Sequence, residues 1–480
     1  MSPPAPHPGA GPERGGPDRH PAPAGGPAPA ARPAGRLRLL TAEDSARIRA
    51  ASFRILEGIG VQVDDAAARR ALRDAGCRQD QAGRLRLREE AVLRALERAP
   101  RRLVLYDRDG RSAVDTTDRV PRFGLGINCL RTLDWRTGEQ RSCTLSDIRE
   151  TARLCEKLAN VDLAASLGNP NDLPAAEQAL AAVRALAEGT GKPLAYAAHD
   201  EVEDEAIWGW LADRAGGWQA LADRPCALDL TGPHSPLRLG EEACRRLAFA
   251  ARRRLPVVCY PALLPGTNGP VTLEGALALS TAEILAGLMV HQLAGPGAPV
   301  VTGSSILPMD LRSGGIAYGS PEYVLACLAA VDVFDELGIP SWTGGGCSDA
   351  HTVDAQAAAE AGMNLHLAAL SGTSFVHNLG YLGGGKTGSL EMLLLCDELI
   401  GSARRLAGGL DLTEENLAVE AIARATPDNS FLTDEHTLAH MRTAMWAPAL
   451  LRRSSLEEWA REGAPSLQGR LRARLHELLD

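Results

Sequence analysis

The sequence predicts an α/β fold, a (β/α)8 TIM barrel with an N-terminal helical cap and a C-terminal helical extension. Three observations carry this. From residue 121 onward, short β-like runs alternate with longer helical runs, the pattern of parallel strands joined by crossover helices. The alternation repeats eight times, the number that closes a barrel. At 480 residues the chain exceeds most single cores but suits a decorated barrel. The main alternative is an open doubly wound sheet. It is weakened because no GxGxxG stands between a strand and a helix.

Residues 1–36 are rich in Pro, Ala, Gly and Arg and have no apolar centre. Such a segment buries too little to offset its chain entropy and is expected to be disordered, not a signal peptide. Residues 37–120 are assigned to the cap, with helices at 43–58, 64–75 and 89–98. Thr41 followed by Glu43 and Asp44 gives the first a capping residue and an acidic first turn. Residues 121–405 are assigned to the barrel. Its strands are expected at 121–127, 161–166, 192–198, 225–231, 255–261, 298–303, 339–344 and 372–378. Its helices are expected at 145–158, 175–189, 202–214, 239–253, 272–294, 320–337, 354–370 and 389–402. Residues 406–480 form the extension, with helices at 413–424, 434–445 and 455–478.

The bulk numbers exclude several classes. Hydrophobic residues make up 45% of the chain and charged ones 23%, ordinary for a globular protein. A net charge of −9 lacks the basic surface that nucleic acid requires. The ten cysteines are scattered with no CxxC pair, so they are read as reduced thiols in the cytoplasm. The apolar run 284–293 is short and is interrupted by His291 and Gln292. It is read as a buried helix, so no membrane partner is expected.

In a barrel of this kind the chemistry sits at the C-terminal ends of the strands. The residues just past each expected strand are Asn128 and Cys129; Gly168 to Asn171; His199 and Asp200; Thr231 to Ser235; Tyr260 and Pro265 to Pro270; Ser304 to Glu322; Trp342 to His351; and Asn378 to Lys386. Polar, glycine and aromatic residues gather at this one end. Aromatics are only 4% of the chain, yet Tyr260, Tyr318, Trp342, Phe375 and Tyr381 fall on or beside strand ends. Together they permit a pocket for a cation, because ring faces attract quaternary ammonium groups. Asp354 has the position of a helix cap. Gln356 and Glu360 share a helical face. Cys347 and His351 lack the further ligands a metal site needs, and no metal is expected. His366 and His377 read as structural histidines.

The sequence resembles the trimethylamine methyltransferase (MttB-like) family from about Leu37 to Leu479. The likeness is carried by Ile55-Leu-Glu-Gly-Ile-Gly-Val61, Asp107-Arg-Asp-Gly110, Gly269-Pro-Val-Thr-Leu-Glu-Gly275 with Ala282-Glu283, and Gly295-Pro-Gly-Ala-Pro-Val300. Gly319-Ser-Pro-Glu322, Asp354-Ala-Gln356, Phe431-Leu432 and His436-Thr437 extend it. The resemblance implies a barrel that moves a methyl group from a methylamine to the cobalt of a corrinoid protein. Founding members carry pyrrolysine in the loop after strand seven. His351 falls at or near that position here, so the chain looks like the non-pyrrolysine branch, similar to glycine betaine methyltransferases.

A quaternary amine gives up its methyl by expelling a neutral tertiary amine, so no general acid is required at nitrogen. On this reading Trp342, Tyr260, Tyr318, Phe375, Tyr381 and Asn268 line the substrate site. Arg312 binds a substrate carboxylate through its guanidinium fork. His351 orients substrate or meets the corrinoid, and Asp349 or Glu322 balances the cation. Arg312, Trp342 and His351 are expected to face one chamber. No cofactor is expected in this chain, which has no DxHxxG-type signature. The corrinoid (cobalamin) arrives on a partner protein, and a homo-oligomer is expected. The alternatives are a metal-assisted barrel hydrolase and a non-catalytic quaternary-amine-binding homologue.

Overall fold

The computed structural model describes residues 36–426 and 430–480. The disorder expected for 1–36 therefore lies outside the described residues except at Arg36. That side chain pairs with Asp332 and Asp335, and Asp332 also accepts from the Leu39 and Leu40 amides.

Seven parallel strands form the barrel sheet: β1 Arg122–Leu125, β2 Leu194–Tyr196, β3 Ala227–Thr231, β4 Val257–Cys259, β5 Val300–Gly303, β6 Ser341–Gly344 and β7 Phe375–Leu379. Their order is β1-β7-β6-β5-β4-β3-β2. Leu163 bridges Gly124 of β1, and Ala164 bridges Leu194 of β2, both in parallel. These two residues close the ring where an eighth strand was expected. The 161–166 run does not pair at full length because the Asp162 carboxylate takes the Phe123 amide and Leu167 turns to positive φ.

The surrounding helices match the expected periodicity. In chain order they are α1 Ala42–Gly58, α2 Ala66–Asp74, α3 Glu89–Arg98, α4 Leu145–Lys157, α5 Ala175–Gly189, α6 Glu201–Ala215, α7 Trp218–Asp223, α8 Glu241–Arg253, α9 Leu273–Ala294, α10 Pro321–Leu337, α11 Ala355–Ser371 and α12 Leu390–Ala407. Thr41 forms a capping box on α1, and Asp354 caps α11 by accepting from Ala357 N at 3.0 Å. Helix α9 is long and apolar enough to cross a membrane by composition, but it is buried nearly all round. The barrel lies on one side of it, and α1 and α3 pack against it as well.

Short pairings of two to four residues complete the fold, and sequence periodicity could not reveal them. The hairpin of Val104–Tyr106 with Ser112–Asp115 sits at the N-terminal ends of β2 and β3, where Arg108 N donates to Gly191 O and Tyr106 N to Pro225 O. At the opposite end, Arg131–Leu133 and Gln140–Ser142 from the first loop join Tyr381–Leu382 and Thr387–Ser389 from the last in a four-stranded sheet. Beyond α12 come α13 Glu414–Leu417, α14 Val419–Arg424, α15 Glu435–His440, α16 Leu456–Arg461 and α17 Leu467–Leu479. The single helix expected at 455–478 breaks because Gly463 and Ala464 take positive φ ahead of Pro465. The helix expected at 434–445 stops at His440.

Candidate active site

Strand alternation decides which residues line the barrel interior. Thr343 of β6 lines the space between the sheet and its helices with Tyr323, Val324 and Cys327. Its neighbour Trp342 therefore points inward. There its ring lies 5.6 Å from that of Phe375 and 4.9 Å from that of His377, both on β7. Tyr260, just after β4, meets His377 edge-on at 5.5 Å. Gly303 of β5 makes room for them, since a Cβ there would come within 2.6 Å of the Tyr260 ring. Tyr260 is half-buried while the other three are buried, so it marks the mouth side of the group.

His377 is fixed at both nitrogens. Nδ1 lies 2.7 Å from the Thr343 carbonyl, which can only accept, so Nδ1 carries the proton. Nε2 is then free to accept from the Tyr260 hydroxyl at 3.2 Å. Burial pulls the imidazole down to about 4 and keeps it neutral. Burial likewise pushes the Tyr260 phenol up. The four rings thus form a buried group without an ionised side chain among them.

A second group of rings lies beside the first. Tyr318 meets Tyr323 at 5.0 Å and Tyr381 at 6.0 Å. The Tyr381 hydroxyl accepts from Ile127 N at 2.7 Å and donates to Ile127 O. Gly126 is obligatory there, because a Cβ would sit 1.9 Å from the Tyr381 ring. All five aromatics singled out from the sequence are therefore in these two groups.

The charged and polar candidates go elsewhere. Asp349 is half-buried, and its two oxygens accept from Tyr318 N at 2.8 Å and Gly319 N at 2.9 Å. Burial raises its carboxyl against the pull of those two amides. Its own amide donates to Glu360 Oε2 at 2.8 Å, which also takes the Ser348 hydroxyl. Asp349 thus clasps two loops together. Glu322 is exposed in the first turn of α10. His351 is exposed beside Gly383, and its carbonyl accepts from Gln140. Arg312 is 94% exposed on the hairpin of Met309–Asp310 with Gly315–Ile316, and its ion pair is with Asp310, two residues back. Asn268 spends both ends of its amide on its own turn, accepting from Leu264 N and donating to Ala262 O. The chamber expected to hold Arg312, Trp342 and His351 together is corrected: of the three, Trp342 alone faces the interior. Side-chain direction in loops follows backbone geometry that residue type does not reveal.

Sequence reasoning read His377 as structural only, and it passed over Tyr323 and the clasp role of Glu360. His377 had a usable signal, since it lies two residues past Phe375 on one strand and shares its face. Among the described residues no three His, Cys, Asp or Glu side chains are arranged to hold a metal ion, and the ten cysteines are free.

Fold and site together define a class of α/β barrel with an aromatic interior, half-buried Tyr260 lying just past the C-terminal end of its strand. The family model described as trimethylamine methyltransferase (MTTB) matches residues 15–480. The chain is 30% identical over 450 residues to glycine betaine methyltransferase of Desulfitobacterium hafniense strain Y51, covering 92% of each chain. It is 30% identical over 439 residues to trimethylamine methyltransferase MttB of Methanosarcina thermophila, covering 90% of each. In fold it resembles the crystal structure of the Methanosarcina barkeri monomethylamine methyltransferase MtmB, with TM-score 0.50, 11% identity, and 93% and 90% of the two chains covered. This chain belongs to the trimethylamine methyltransferase family.

Proposed function

We propose that the chain transfers a methyl group from a quaternary, betaine-like amine to a corrinoid carried by a separate protein. The observation that carries this reading is the neutral aromatic interior formed by Tyr260, Trp342, Phe375 and His377. Ring faces attract a quaternary ammonium group, and the attraction strengthens where water is excluded. A protonated histidine there would oppose it, and burial keeps His377 neutral.

The corrinoid, in its Co(I) form, supplies the nucleophile when its carrier docks. What this chain contributes is orientation and desolvation of the methyl group. A quaternary nitrogen leaves as a neutral tertiary amine and needs no proton. A site whose ionisable candidates face away from the rings suits that substrate and fits a tertiary amine poorly. The likeness to a glycine betaine methyltransferase supports the same choice. For the substrate's carboxylate, the buried Trp342 Nε1 replaces Arg312 as the candidate donor. It has no acceptor among the described residues, and a buried N–H gains most from a charged one.

A metal-assisted hydrolase finds no ligand set among the described residues. The test is a thermal-shift screen of the full chain against glycine betaine, carnitine, choline, tetramethylammonium and trimethylamine. Transfer to a reduced Co(I) corrinoid protein is then assayed by its absorbance change. Betaines are expected to raise the melting temperature and to support transfer. Binding without transfer would identify a non-catalytic homologue, and no response to any quaternary amine would overturn the reading.

A further inference from the structure

Among the described residues of the seven barrel strands, Asn378 alone has a positive φ, at 82°. Side chains rarely enter this region, and asparagine is among those that tolerate it best. The cause is a bulge. Val376 pairs with Phe123 of β1 and Leu379 with Leu125, so His377 and Asn378 together stand opposite the single Gly124. An extra residue of this kind breaks the pairing and re-aims side chains, and such bulges concentrate beside active sites. Here the bulge falls on the strand that carries Phe375 and His377.

Asn378 is buried, and its Nδ2 donates to the Tyr323 hydroxyl of α10 at 3.0 Å. Tyr323 is itself held, by its amide on Ser320 Oγ at 3.2 Å and by its ring against Tyr318. Its hydroxyl fills the space beside Gly344 at the end of β6. A Cβ on Gly344 would collide with that oxygen and lie 2.9 Å from Asn378 Nδ2. Gly344 is in turn the register partner of His377, and the Gly345 amide donates to the His377 carbonyl at 2.8 Å. The residue before Gly344 is Thr343, whose carbonyl takes the His377 Nδ1 proton. The bond from Asn378 to Tyr323 therefore closes over the short stretch of β6 that presents this carbonyl.

We propose that Asn378, acting through Tyr323, is a positioning residue for the aromatic interior: it keeps the Thr343 carbonyl on His377, so that the proton stays on Nδ1 and Nε2 is left to accept from Tyr260. The two ring nitrogens of a neutral histidine exchange roles according to the partner each one meets. A His377 ring that loses the Thr343 carbonyl places its proton on Nε2 for part of the time. There it faces the Tyr260 hydroxyl as a second donor, and both rings turn to avoid the clash. The hold on His377 is a property of the empty protein. Its effect on a quaternary amine rests on the proposed function.

Nitrogen NMR of the full chain, labelled at histidine, tests this without a ligand. His377→Gln assigns the His377 signals. In the wild type they should show a neutral ring with its proton on Nδ1. Tyr323→Phe keeps the ring and removes one oxygen. Asn378→Gly keeps the backbone conformation and removes the amide. In each, the signals should move to a mixture of the two tautomers with unchanged circular dichroism. The double variant should move no further than either single one, because both substitutions delete the same bond. Calorimetry reads the consequence. Affinity for tetramethylammonium should fall by roughly three- to tenfold in each variant, within what ring–cation contacts are worth, and by no more in the double. Unchanged His377 signals in the folded single variants overturn the proposal, whatever they lose in stability. So do shifts that add in the double variant. A wild type that binds no quaternary amine overturns the proposed function instead, and the tautomer signals alone then decide the role of Asn378.

Discussion

The two faces of the barrel sheet treat charge in opposite ways. On the outer face, Asp229 of β3 is fully buried against Arg246 of α8, with Asp204 of α6 beside them and the Tyr196 hydroxyl 2.8 Å from Asp204. Burial raises both aspartates. Asp229 raises Asp204 further, while Arg246 pulls both down. On the inner face, the rings of Tyr260, Trp342, Phe375 and His377 are packed without an ionised neighbour among them. Both regions exclude water, so their difference lies in what meets the charge. Outside, a guanidinium is neutralised within the fold. Inside, the rings carry no fixed charge, and under the proposed function their π faces meet a cation that comes from elsewhere. A paired charge strengthens the wall, but the same pair inside would compete with the ligand.

The largest expected effect comes from breaking the outer pair. Arg246→Met should destabilise the fold by about 3–5 kcal/mol in denaturant titration, because two carboxyls are left buried without a cation. The carboxyls are raised in the folded state, so the folded chain holds protons that the unfolded chain has already lost. Stability then falls as pH rises, and the variant's loss should be smaller at pH 5 than at pH 8. Ligand affinity in the folded fraction should not change. A variant as weak in binding as in stability would erase the distinction between the two faces.

The second effect tests the neutrality of the inner face. His377 is held down to about 4 and His291, buried behind the sheet, to about 3. As pH falls below the ordinary histidine range, the unfolded chain takes up protons that the folded chain refuses. Stability is full above about pH 6.5 and is lost toward pH 4, by about 3 kcal/mol for His377 alone. From these two groups, unfolding near pH 5 should take up about two protons in the wild type and about one in His377→Gln. An unaltered pH slope in the variant would mean that the ring is not held neutral.

Sequence and structure agree where periodicity carries the information. The strand and helix alternation located the eight expected barrel helices, though not the short α7 Trp218–Asp223, because amphipathic stripes and caps such as Asp354 are local signals. Strand pairing in two- to four-residue hairpins has no period to read, so the small sheet over the mouth was invisible. At the site, Trp342 and Phe375 were legible because a strand fixes side-chain direction. Arg312 and Glu322 were chosen by chemical type and His351 by its place in the family resemblance; all three lie on loops or a helix start, where they are exposed. Asp349 and Asn268 were chosen the same way and instead satisfy backbone amides, the usual work of short polar side chains in turns. Tyr323 lies inside an apolar helix and carried no mark to separate it from core packing.

The third effect sharpens what the inner face recognises. Trp342→Phe keeps a ring face but removes the buried N–H. Affinity for glycine betaine should fall by about 1.5–3 kcal/mol, the worth of a hydrogen bond to a charged acceptor. Tetramethylammonium, which has no acceptor, should bind as before in calorimetry. An equal loss for both ligands would assign Trp342 to the cation alone.

The smallest effect belongs to Arg312, and its smallness is informative. Its side chain is 94% exposed and, among the described residues, pairs with Asp310 on the same hairpin. Exposed pairs of this kind are worth about 0–1 kcal/mol. Arg312→Ala should leave the affinities for glycine betaine and tetramethylammonium within about 0.5 kcal/mol of wild type. A selective loss for glycine betaine would require the hairpin to fold over the mouth when substrate binds, bringing a guanidinium to the carboxylate. In that event the inner face would be neutral only while empty. The contrast between the two faces would then describe the resting enzyme and not the complex that reacts.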